Sequence, residues 1–161
     1  MKLQALVLPI CLLCLVSCEV TQYMATSDQY KFNPSLENKI ILIQEKDVPN
    51  ATTVSLQLNR KMWTAVDKSV SQMVDPDARD FVLATKLMMQ KQFIAAYQTI
   101  NHVQSPKFAC QVKIIKADCL YELKSDTVDF RVRYQQAYDC SSDPRIKFIA
   151  ETRYRFVKYA M

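Results

Sequence analysis

The chain has 161 residues, one His, six Cys and no Gly, and a formal net charge of +5. About eleven Gly would be ordinary at this length, so Gly-rich phosphate loops, dinucleotide fingerprints and the Gly-x-Ser-x-Gly nucleophile elbow are excluded: each needs backbone that only Gly adopts cheaply. Half of the residues are apolar, which suits a folded core, and the mild positive charge by itself names no partner.

Lys2 is the only charge before Glu19, and the run from Ala5 to Val16 is apolar apart from Pro9. One cation followed by a short apolar stretch is the layout of a secretory signal. A membrane-spanning helix needs about 20 apolar residues, more than this run offers. Leu15-Val16-Ser17-Cys18 resembles the bacterial lipobox. The resemblance implies that residues 1–17 are removed and that the Cys18 thiol is diacylated, anchoring the protein in the bacterial cell envelope, with the outer membrane favoured. Acyl chains anchor firmly because each buried methylene contributes roughly 0.8 kcal/mol. The alternative is an ordinary signal cut near Ser17 or Cys18, giving a soluble secreted protein. In a eukaryotic source Asn50-Ala51-Thr52 would then be a glycosylation acceptor.

Removing residues 1–17 leaves a net charge of +4. Residues 18–36 are polar and weakly patterned and are expected to form the lipidated end and a tether, with residues 37–161 as one α+β domain. Ile40 to Glu45 and Thr53 to Leu58 look like short strands around a Pro49-Asn50 turn. From Lys61 the period becomes helical: Trp63, Val66, Val70 and Met73 recur at three- and four-residue steps. Asp75 is a candidate N-cap with Pro76 at the first helical position, opening a second helix to about Asn101. No internal repeat is evident.

The last third reads as an antiparallel meander of three or four strands packed on the helices. Phe108, Cys110, Val112 and Ile114 alternate with Ala109, Gln111, Lys113 and Ile115. Val128, Phe130, Val132, Tyr134 and Tyr138 share one parity, as do Ile146, Phe148, Ala150, Tyr154 and Phe156. A turn at Ser125-Asp126, with one bulge near Ala117-Asp118, sets Cys110 opposite Cys140. An exported protein favours oxidation, so Cys110–Cys140 is the expected disulfide, with Cys119 left as a buried thiol; Cys119–Cys140 is the second choice.

No persuasive catalytic set emerges, and the protein is not expected to be an enzyme. His102 follows a helix end and suits a cap or the surface. No cofactor and no metal are expected, since three Cys and one His lack the short paired spacing of a zinc site. On the meander, Lys113, Arg131, Arg133, Lys147, Arg153 and Arg155 have the parity to point outward together, and Arg forks suit phosphate or carboxylate. Tyr138-Asp139-Cys140, with Arg145 and Tyr154, resembles the C-terminal part of surface-adhesin E lipoproteins, which implies a small antiparallel α+β domain. One long helix followed by a curled sheet also fits a cystatin-like order of elements, without that family's Gln-x-Val-x-Gly motif. The expected function is a membrane-anchored binding module for an anionic polysaccharide, a lipid headgroup or a protein partner. A structural subunit of an envelope complex and a secreted inhibitor are the alternatives, and nucleic acid is not an expected partner.

Overall fold

The Pro at the first position of one helix, and a Lys just past the end of another, mark where this chain turns. Asp75 accepts from the backbone N–H groups of Asp77 at 2.9 Å and Ala78 at 3.3 Å, with Pro76 at the start of the helix, so the cap expected there is present. At helix ends the chain does without Gly. Lys61, Lys91 and Lys124 adopt φ of 55°, 60° and 53°. Each Lys N–H returns to the carbonyl of Leu58, Met88 or Tyr121, and the next N–H, of Met62, Gln92 or Ser125, reaches Gln57, Leu87 or Leu120, all at 2.8–3.1 Å. This is the Schellman closure, made three times with Lys at the left-handed position.

The structure is a computed structural model and describes residues 42–125 and 130–159, with the side chains of 42–125 and 131–155. The described residues belong to the unit Ser35–Met161. The elements are α1 (Ala51–Asn59), α2 (Trp63–Ser71), α3 (Pro76–Met89), α4 (Phe93–Ile100), a 3-10 turn at Pro106–Phe108, α5 (Ala109–Glu122), α6 (Phe130–Cys140) and α7 (Pro144–Tyr159). The expected α+β fold is therefore wrong: among the described residues there are seven α-helices and no strand. Thr53 to Leu58 lies inside α1, and the expected long central helix breaks at Lys91 into α3 and α4. The meander is α5, α6 and α7. Its members Val128 and Phe156, and the whole of residues 1–41 with the signal, Cys18 and the tether, lie outside the described residues or side chains.

The helices stack as pairs, α1–α2, α3–α4 and α5–α6, in the manner of a solenoid built from helical hairpins. Each helix packs on the one before it, and α5 and α7 also reach the helix two places back, α3 and α5. The three Lys turns, 30 and 33 residues apart, are the local mark of a repeat that composition alone does not display. The core runs along the array through Leu42, Val54, Leu58, Val66, Phe81, Met88, Ile100, Phe108, Ile114, Ile115 and Ile149. Phe81 of α3 stacks on Phe108 with ring centroids 4.8 Å apart. Asp77 holds the α4–α5 connection by accepting from the N–H groups of Gln104 and Ser105, both at 3.0 Å.

The misreading of the last third has a local cause. Between Gln111 and Cys119 only Lys113 is exposed. A helix covered on nearly every side shows no apolar stripe, so the 3.6-residue period vanishes from its sequence and accidental alternation remains. On α6 and α7 the period is helical: Tyr134, Ala137 and Tyr138 face inward on one, Ile146, Ile149, Ala150 and Arg153 on the other.

Candidate functional site

The α5–α6 hairpin carries the Cys110–Cys140 disulfide, with Cα atoms 5.5 Å apart. Cys119 is a buried thiol on α5. The strand register that suggested the bridge does not exist, yet the pair is the same. Cys110 and Cys140 are 30 residues apart and equidistant from Ser125. They meet because Cys110 lies in the first turn of α5 and Cys140 is the last residue of α6, at the same end of the α5–α6 pair.

Three helices meet at a buried polar knot. Tyr134 of α6 donates its hydroxyl to Asp118 Oδ1 of α5 at 2.6 Å, and Arg153 Nε of α7 lies 3.4 Å from the same oxygen. Burial, and then the Asp118 charge, push the Tyr134 phenol well above its ordinary value, so it serves as a proton donor at physiological pH. Arg153 is 6% exposed. It was expected on an outward anion-binding face, and that expectation is wrong: α7 turns it inward because Asp118 is there to receive it.

The other candidate cations do not form one face. Lys113 is exposed on α5. Arg133, exposed on α6, lies near Lys116 of α5, whose pKa is lowered by burial and then by the Arg133 charge. Lys147 of α7 sits over the Tyr138 ring at 4.9 Å. Arg155 pairs with Glu151 one turn earlier. Arg131 and Arg155 do share a feature. Between α6 and α7 run two adjoining clefts of about 380 and 370 Å³. The first is lined by Tyr134, Gln135, Tyr138, Ala150, Glu151, Tyr154 and Arg155, the second by Arg131, Val132, Gln135, Gln136 and Tyr154. Gln135 and Tyr154 belong to both, so the clefts adjoin, and Arg131 near the start of α6 and Arg155 towards the end of α7 fall at the same end of this antiparallel pair, with Glu151 also in the lining.

The sequence reading missed the groove because it assigned Tyr134, Tyr138 and Tyr154 to the buried side of a sheet. The available signal was the four-residue step from Tyr134 to Tyr138, which places both rings on one side of a helix. The segment's charge was also legible. Residues 130–159 hold seven cations and three acids, so four of the chain's five net charges lie there.

His102 is exposed, its Nδ1 3.8 Å from Asp80 Oδ2. Among the described residues no group of three or more His, Cys, Asp or Glu is placed to hold a metal ion, and no helix is long and apolar enough to cross a membrane. Comparison with protein families, curated proteins and solved structures found no match.

Proposed function

We propose that this protein is an envelope-tethered binding module: a lipid on Cys18 holds a stack of helical hairpins whose α6–α7 groove receives an acidic protein segment. One observation carries the reading. The groove's lining includes the part-buried Tyr138 and Tyr154, the exposed Gln135 and Gln136, and Arg131 and Arg155 with Glu151, within the segment that supplies nearly all of the net charge. Tyr rings offer apolar area with a polar tip and Arg a carboxylate fork, a combination typical of protein-binding surfaces. Lipid headgroups share the anionic chemistry but make little use of aromatic rings, and acidic polysaccharide, which can stack on Tyr rings, is separated from a protein partner by experiment.

Two experiments test the two halves. Fatty-acid labelling of wild type but not of Cys18→Ala supports the tether, and equal labelling overturns it. Isolated protein should bind polyglutamate with affinity that falls steeply with salt and is lost in Arg131→Glu with Arg155→Glu. Preferential binding to anionic vesicles or acidic polysaccharide, unaffected by that pair, replaces the protein partner with an envelope component.

A further inference from the structure

The two ends of the array differ in charge. At one end lie helix starts and connections held by carboxylates. Asp75 caps α3, Asp77 holds the α4–α5 connection, and Asp143 accepts from the Arg145 N–H at the start of α7. At the other end lie the α1–α2 and α3–α4 turns. No Asp or Glu stands between Asp47 and Asp67 or between Asp80 and Asp118, so both turns sit in acid-free stretches. Lys86 of α3 bonds Asp67 of α2 at 2.6 Å, each about one helical turn in from its own connection, which sets the two turns side by side.

Arg60, Lys61 and Lys91 are exposed at this end, and each Lys stands just past its helix at the left-handed position. Cations suit a helix C-terminus, where carbonyls are left over. That does not account for the apolar side chains beside them: Met62 is 48% exposed and Ile94 63%. The α5–α6 turn repeats the pairing as Leu123 and Lys124, but Glu122 precedes it and Asp126 follows, so it lacks the charge of the first two. Exposed apolar tips among Lys and Arg suit an anionic membrane surface. The tips enter the headgroup region, and the long cationic stems reach phosphates. Acidic polysaccharide would use the cations but offers Met62 and Ile94 no hydrocarbon.

We propose that the end of the array formed by the α1–α2 and α3–α4 turns docks on an anionic phospholipid surface, with Met62 and Ile94 entering the headgroup layer and Arg60, Lys61 and Lys91 meeting lipid phosphates. It uses none of the residues that line the α6–α7 groove and does not depend on an acyl chain at Cys18. Where that chain is present, the basic end is the second signal that turns a marginal anchor into a stable one.

The test uses the full oxidised chain on vesicles and a native reporter. Trp63, the only Trp of the chain, follows Met62 directly, so its fluorescence reads this turn whatever else holds the protein to the bilayer. The vesicles carry a nitroxide on the upper acyl chain and are phosphatidylcholine alone or mixed with phosphatidylglycerol. Trp63 should be quenched at least about threefold more on the mixed vesicles, and the excess should vanish in high salt. Lys61→Glu with Lys91→Glu should weaken the affinity read by quenching at least about tenfold, since each cation near such a surface is worth roughly fivefold. Met62→Ser with Ile94→Ser should weaken it about tenfold through lost apolar burial. Circular dichroism checks both variants, and if one does not fold the other decides. Equal quenching on neutral and mixed vesicles, quenching unchanged in a folded variant, or no quenching on either vesicle overturns the docking surface. Polyglutamate binding in the groove should survive Lys61→Glu with Lys91→Glu, so the two surfaces fail separately.

Discussion

Arg153 and Asp118 stand 35 residues apart in sequence and join α7 to α5 at 3.4 Å, both nearly fully buried. Tyr134 completes the contact from α6, so a single carboxylate oxygen ties together the last three helices. Such a pair costs desolvation when it forms and leaves an expensive orphan when half of it is removed. Arg153→Met is expected to destabilise the fold by about 3–5 kcal/mol, because it takes a buried cation away from the buried Asp118 carboxylate. Adding Asp118→Leu should recover most of that loss. Urea unfolding of both single variants and the double variant gives the coupling, and additive effects would show that the contact is energetically idle.

The three Lys turns offer a cleaner case of backbone strain. A non-Gly residue at φ near 55–60° crowds its Cβ against the chain, while Gly does not. Lys91→Gly should raise stability by roughly 1 kcal/mol, the gain in the folded turn exceeding the added freedom of the unfolded chain. Lys61→Gly and Lys124→Gly should act in the same direction. Thermal melts of the three variants check this, and a drop in melting temperature for all of them would mean that the Lys side chains contribute more than their strain removes.

The disulfide joins the open end of the α5–α6 hairpin. Closing a loop of 30 residues limits the unfolded chain, and Cys110→Ser with Cys140→Ser is expected to cost about 3 kcal/mol on that account. Non-reducing peptide mapping should find Cys110 linked to Cys140 and Cys119 unmodified by thiol reagents until the protein unfolds. A bridge containing Cys119 would contradict the hairpin geometry.

Acid should weaken the start of α3. The Lys107 ammonium, hydrogen-bonded to the Asp75 carboxylate, and the helix N–H groups it caps hold that carboxyl below its ordinary value. The folded state therefore binds this proton less tightly than the unfolded state. The stabilisation is complete above the unfolded value of about 3.9 and is lost as pH falls through the lower folded value. Asp75→Asn should lower stability at pH 7 and flatten the acid limb of a plot of urea midpoint against pH. An unchanged acid limb would assign the loss to other carboxylates.

Some of this molecule is written within a few residues of where it acts. Asp75-Pro76 caps a helix because the cap needs only its own side chain and the next two N–H groups. The missing Gly removes phosphate loops because no other residue supplies that backbone at low cost. What tertiary structure decided is everything that depends on a neighbour. The near-complete enclosure of α5 erased the period that would have identified it as a helix. Lys91 and Lys124 take the left-handed position that Gly usually fills, an outcome no Lys side chain announces. Arg153 carries the same charge as Arg131, yet one is buried on Asp118 and the other edges a groove. An ionic side chain goes inside when a partner waits on another element, and the local sequence holds no record of that partner.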